Sequence, residues 1–114
     1  MAVNLDRLHE ISGGDLEFER EILQAFVEDA RISLDLLKEF CMAKDYPAFS
    51  NYAHQLKGSS ANMGLIPLQT LAAELHLKGK QQNLNHVEQD LQSIENIVQE
   101  IEDYLSKTSA ELES

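Results

Sequence analysis

The stretch LNHVEQDLQSIENIVQEIEDYL, residues 84–105, decides the fold. Its apolar residues Leu84, Val87, Leu91, Ile94, Val98, Ile101 and Leu105 recur at alternating steps of three and four. That period gives an α-helix with one continuous apolar seam, and a strand would bury the wrong residues. Such a seam can zip two chains into a coiled coil or face its own chain inside a bundle. About three heptads joined to other amphipathic helices by short loops fit the bundle better. Asn85 and Glu88 have the spacing of a capping box, so this helix is expected to start near Asn85.

Working towards the N-terminus, Pro67 opens another helix that is expected to close near Gly79. Before it, Asp45 is an N-cap candidate with Pro47 in the first turn, and that helix should run to about Met63. Gly64 then supplies the left-handed residue at its end. A long helix from about Asp15 to Met42 carries Leu23, Val27, Ala30, Leu34, Leu37 and Cys41 at helical spacing. Ile22, Phe26, Leu36 and Phe40 widen that stripe, which suits a helix with neighbours on two sides. Asn4 to Ile11 reads as a short extra helix stopped by Ser12-Gly13-Gly14, and residues 107–114 read as a fraying polar tail. The expected architecture is all-α: an antiparallel up-down four-helix bundle over about residues 4–106, with a short extra N-terminal helix. Residues 1–114 form one domain, and a monomer is expected.

Composition narrows the function. The chain has 114 residues, enough for one core and too few for two domains. Nine basic against 20 acidic residues give a net charge of −11, which argues against nucleic acid, whose binding rests on phosphate neutralisation. No signal peptide or membrane-length apolar run is present, so a soluble, cytoplasmic module without membrane insertion is expected. Cys41, the single cysteine, cannot close an internal disulfide and reads as core filler. From the initiating Met1 a free-standing chain is expected.

The helix from Asp45 carries the chemistry. At about 100° per residue, Phe49, Tyr52, Leu56 and Met63 share the side that must face the core. The opposite arc holds Ser50, Asn51, His54, Lys57, Gly58 and Ala61. His54 should therefore point to solvent, with Lys57 at i+3 and Gly58 at i+4. An exposed imidazole is largely neutral near pH 7, and its nitrogen is then nucleophilic. A glycine inside a helix costs about 1 kcal/mol against alanine, and an exposed one has no packing reason to be there. Its use is absence: nothing at Gly58 would keep another protein from reaching His54. A lone His-Lys pair on a helix is more often an ordinary solvated pair, so the surrounding string has to decide.

That string, His54-Gln55-Leu56-Lys57-Gly58-Ser59-Ser60 followed by Gly64, resembles the signature of histidine phosphotransfer (HPt) domains. Asp15 to Ala30, Asp45 to Phe49 and Leu71 to Gly79 are also similar to the family, so the resemblance covers nearly the whole chain. It implies a phosphorelay intermediate. His54 would accept a phosphoryl group from the aspartyl phosphate of a receiver domain and pass it to another receiver. Lys57 would stabilise the transferring charge, and Gly58 would permit close docking. Ser59 and Ser60 match the small-residue positions, and Gly64 the helix stop. Ser60 lies toward the buried side and is expected to bond back to the Leu56 carbonyl. The family commonly places a polar residue such as glutamine beside the phosphohistidine from the neighbouring helix; here His76 takes that position, either orienting His54 or standing half-exposed.

The resemblance implies no cofactor and no metal in this chain, magnesium belonging to the partner receiver. The implied partners are receiver domains of response regulators or of hybrid sensor histidine kinases. The implied role is that of a carrier rather than an enzyme with autokinase activity, since the chain has no Gly-rich nucleotide-binding region. Two other readings compete. A docking-only module would bind receivers and transfer nothing, but would have no reason to keep His54, Lys57 and Gly58 together. A metal-binding bundle would use His54, His76, Glu74 and His86, but Glu74 and His76 at i,i+2 diverge around their helix.

Overall fold

The computed structural model describes the backbone of residues 9, 10 and 12–113, and side chains as far as Lys107. Four helices follow one another: α1 Leu16–Ala43, α2 Tyr46–Asn62, α3 Ile66–Lys80 and α4 Val87–Glu113. Each packs on the two beside it in a ring, α1 on α2 and α4, α3 on α2 and α4, with no close backbone contact across the diagonals. Connections this short leave consecutive helices no choice but to run antiparallel. The α2–α3 pair is the most intimate of the four.

The caps explain the boundaries. Asp15 and Asp45 accept hydrogen bonds from Phe18 N and Ala48 N, at 3.1 and 3.2 Å, and so satisfy first-turn donors of α1 and α2. At the end of α2, Gly64 takes φ 70°. Leu65 N donates to Ser60 O at 2.9 Å and Gly64 N to Ala61 O at 3.1 Å, which caps the last carbonyls. Lys44 and Gln82 close α1 and α3 in the same left-handed way, at φ 55° each, without the glycine that would make it free of steric cost.

α3 ends at Lys80, next to the Gly79 near which the sequence reading closes it. Two boundaries differ from that reading. The Asn85/Glu88 capping box does not form. Asn85 N donates instead to Asn83 Oδ1 at 3.2 Å, His86 takes φ 64°, and the helix begins at Val87. The fully buried Val87 sets this register, while Leu84 packs on the core from outside the helix. Finally, α4 runs to Glu113, past the expected end at Ser106. The expected helix Asn4–Ile11 falls largely outside the described residues; of it, His9 and Glu10 carry helical backbone, as does Ser12 beyond it.

The core is built from the stripes read in the sequence. Leu23, Leu34 and Leu37 of α1, Phe49 and Leu56 of α2, and Ile94, Val98 and Ile101 of α4 are all buried. The seam of residues 84–105 therefore faces its own chain. Cys41 is half-buried among these residues; burial pushes its thiol pKa up, and the carboxylate of Glu88 adds to that, which leaves it poorly nucleophilic. Arg31 ties α1 to α4 through Glu102 and Glu95, and Lys38 also reaches Glu95 at 3.6 Å. These ties hold the half of the bundle that carries no candidate chemistry. Among the described residues no helix is long and apolar enough to cross a membrane.

Candidate functional site

The site is built on α2, whose buried face fixes what its other face shows. Phe49, Ala53, Leu56 and Ser60 are buried, and Tyr52 lies against the ring of Phe40 at 5.5 Å between centroids. With that face committed, Asn51, His54, Gly58 and Ala61 are exposed and Lys57 is half-buried. His54 makes no side-chain hydrogen bond, and Lys57 no ion pair, to any other described residue. Both are left available to something outside the chain.

Gly58 meets the expectation set for it. A Cβ placed there would find nothing within 4 Å. No packing inside the chain requires glycine at this position. Ser59 and Ser60 both donate to the Leu56 carbonyl, at 3.1 and 2.7 Å. Ser60 is fully buried and turned inward, in the structural place the sequence suggested. Gly64 ends the helix, as described above.

His76 reaches the site from α3. Its ring lies 5.0 Å from that of His54 between centroids, with the planes tilted by 44°. Ser50 holds it: His76 Nδ1 is 3.0 Å from the Ser50 carbonyl and 3.1 Å from Ser50 Oγ. A carbonyl can only accept, so Nδ1 carries the hydrogen and shares it between the two oxygens. Ser50 Oγ in turn donates to the His76 carbonyl at 3.4 Å. The ring of His76 is thus oriented by α2 itself and packs beside the imidazole of His54.

Ser50 is a correction. The helical wheel placed it on the solvent arc, yet it is 7% exposed, because α3 crosses over it. Gly79 explains how. A Cβ on Gly79 would lie 3.1 Å from Phe49 Cδ1, Ser50 Cα and Ser50 Cβ, so the two helices touch backbone to backbone there. Gly79 is a close-packing residue, the role that Gly58 does not have.

Beside the two imidazoles runs an open groove of about 520 Å³ between α2 and α3, lined in part by Tyr46, Asn51, His54, His76 and Lys80. Lys80 was not singled out in the sequence. It is exposed, pairs with no carboxylate among the described residues, and stands on the wall opposite α2. The only sequence signal for it was its i+4 spacing from His76, which becomes informative once His76 is known to face His54. Lys78, two residues earlier, faces elsewhere and pairs with Asp90 at 2.6 Å. Glu74 is exposed on α3 and His86 lies in the turn before α4, so neither joins the histidine pair through any contact in the structure.

The arrangement offers a solvent-facing imidazole with Lys57 at i+3 on the same helix and Lys80 lining the same groove, on a helix with clear approach. A nucleophilic nitrogen in that setting suits an electrophile that brings negative charge. The Hpt domain family model matches residues 21–113. Histidine-containing phosphotransfer protein B (HptB) from Pseudomonas aeruginosa PAO1 superposes with a TM-score of 0.84 at 21% identity, over 94% of this chain and 93% of that one. The HPT domain from the Hpt sensor hybrid histidine kinase from Shewanella gives a TM-score of 0.74 at 16% identity, over 99% and 97%. Among curated proteins none matches. At these identities the two structures speak for the fold, while the family model spans most of the sequence: the chain belongs to the Hpt domain family.

Proposed function

We propose that this chain is a phosphorelay intermediate in which His54 accepts a phosphoryl group from the aspartyl phosphate of a receiver domain and passes it to another receiver. In the first transfer an imidazole nitrogen of His54 attacks phosphorus. The P–N bond forms as the acyl-phosphate P–O bond breaks, the aspartate leaves as carboxylate, and the ring retains the positive charge or loses its other proton to water. The second transfer runs the same step in reverse on a different aspartate. The observation that carries this reading is the exposed His54 with Lys57 one turn on and open space at Gly58.

Each residue then has a task. Lys57, at i+3 from His54, and Lys80, lining the same groove, counter the charge of the phosphoryl oxygens in flight. His76, held by Ser50, lies beside the His54 ring and biases its orientation while leaving it able to turn. Gly58 lets the receiver's loop come within transfer distance. Magnesium and the acidic residues that bind it belong to the receiver, and this chain needs neither metal nor cofactor for the transfer. Receivers of response regulators or hybrid sensor kinases are the partners, met by a monomeric carrier in the cytoplasm.

The competing reading, a module that docks receivers and transfers nothing, predicts binding without labelling. A phosphorylated receiver mixed with the chain separates the two. Transfer predicts acid-labile label on the chain, removed again by an unlabelled second receiver. ATP alone should leave the chain unlabelled, because phosphate enters only from a partner; labelling by ATP alone would contradict the carrier role.

A further inference from the structure

His54 and His76 come from two helices, 22 residues apart in sequence, and their ring centres stand 5.0 Å apart. Two imidazoles that share one tetrahedral ion, each through a nitrogen about 2.0–2.1 Å from it, have ring centres about 5 Å apart. The observed spacing is compatible with a shared ion, as it is with direct ring contact. A second observation concerns which nitrogen is free. His76 donates from Nδ1 to the Ser50 carbonyl at 3.0 Å, the partner arrangement that fixes the tautomer and ring direction of metal-binding histidines. It leaves the lone pair on Nε2. His54 is exposed and makes no side-chain hydrogen bond to the described residues, so its ring can turn a nitrogen to the same point without breaking anything.

We propose that His54 and His76 together bind one divalent transition-metal ion of the zinc type, and that the bound ion blocks phosphoryl acceptance by occupying the lone pair His54 needs. The binding stands on the histidine geometry alone, while the block rests on His54 being the phosphoacceptor. Among the described residues no group of three or more His, Cys, Asp or Glu side chains forms a metal cluster, so water completes the coordination, reaching it through the open groove. Imidazole nitrogen selects zinc, nickel or copper over magnesium, which prefers oxygen. The magnesium used by a receiver would leave the pair unoccupied. Lys57 and Lys80 oppose a cation, but each is a flexible charge in water, which screens the repulsion.

Titrating the purified chain with zinc chloride tests the site, read by calorimetry and by the ring-nitrogen NMR signals of the histidines. One saturable ion per chain is expected, with ring signals of His54 and His76 shifting and those of His86 unmoved. His54→Gln and His76→Gln should each weaken binding about tenfold or more, equivalent to about 1.4 kcal/mol, with helical circular dichroism unchanged. Wild type that takes up no zinc, or both variants binding as wild type does, would overturn the site, and the NMR shifts decide it even if a variant folds poorly. Zinc should also slow phosphoramidate labelling of wild type about tenfold at saturation, with full recovery on adding EDTA. Saturated protein labelled at the zinc-free rate would overturn the block. Wild type left unlabelled without zinc would instead count against His54 as phosphoacceptor, with the site judged by the titration.

Discussion

Gly79 of α3 lies against Ser50 of α2 so closely that a Cβ on Gly79 would stand 3.1 Å from both Cα and Cβ of Ser50. This one approach sets the site. It buries Ser50, brings the Ser50 carbonyl to His76 Nδ1, and so puts the ring of His76 beside His54.

Substituting Gly79 should therefore cost stability and disturb the site together. Gly79→Ala forces a methyl against the Ser50 backbone and the buried ring of Phe49, neither of which can swing aside. A loss of about 1–3 kcal/mol is expected, as for other overpacked contacts, measured by urea denaturation. The His76 ring-nitrogen signal should move in the same variant. Unchanged stability would mean that α2 and α3 can separate slightly at little cost.

Gly58→Ala should do the opposite. Its Cβ meets nothing within 4 Å, so alanine adds helix propensity and stabilises the free chain by about 1 kcal/mol. Phosphorylation by the small donor phosphoramidate should be nearly unaffected, while transfer from a phosphorylated receiver slows. Equal loss with both donors would place the role of Gly58 inside the chain rather than at the docked surface.

Lys57, at i+3 from His54, and Lys80, lining the same groove, predict a charge effect with a salt signature. Lys57→Ala and Lys80→Ala should each slow receiver transfer about tenfold, about 1.4 kcal/mol of transition-state stabilisation. Added salt should slow wild type more than either variant, because screening acts on the charge that the variants lack. Lys44→Ala serves as the control, since that residue caps α1 and lines no part of the groove. A Lys80→Ala rate equal to wild type would remove Lys80 from the site and leave Lys57 to be judged alone.

What the sequence made legible follows the range of the interactions involved. The caps at Asp45 and Gly64, the seam from Val87 to Ile101 and the bond from Ser60 to the Leu56 carbonyl depend on residues within one helix or turn, and all are present. The exposure of His54 and Gly58 follows from which side of α2 carries Phe49 and Leu56, and it too was readable. Ser50, Gly79 and Lys80 were not, because their roles arise where α2 and α3 cross, between residues 26 and more apart along the chain. A helical wheel sorts one helix against an average environment and does not know where a second helix lies over it. The Asn85/Glu88 capping box failed for a related reason: the burial of Val87 and Leu84 set the entry to α4, and local capping preference gave way to it.

His54 is proposed as the group that carries phosphate. Treating wild type and His54→Gln with phosphoramidate, then recording intact mass before and after mild acid, tests it most directly. One acid-labile phosphoryl adduct is predicted on wild type and none on His54→Gln, with both proteins equally helical. An adduct of the same yield on His54→Gln, or none on folded wild type, would contradict it.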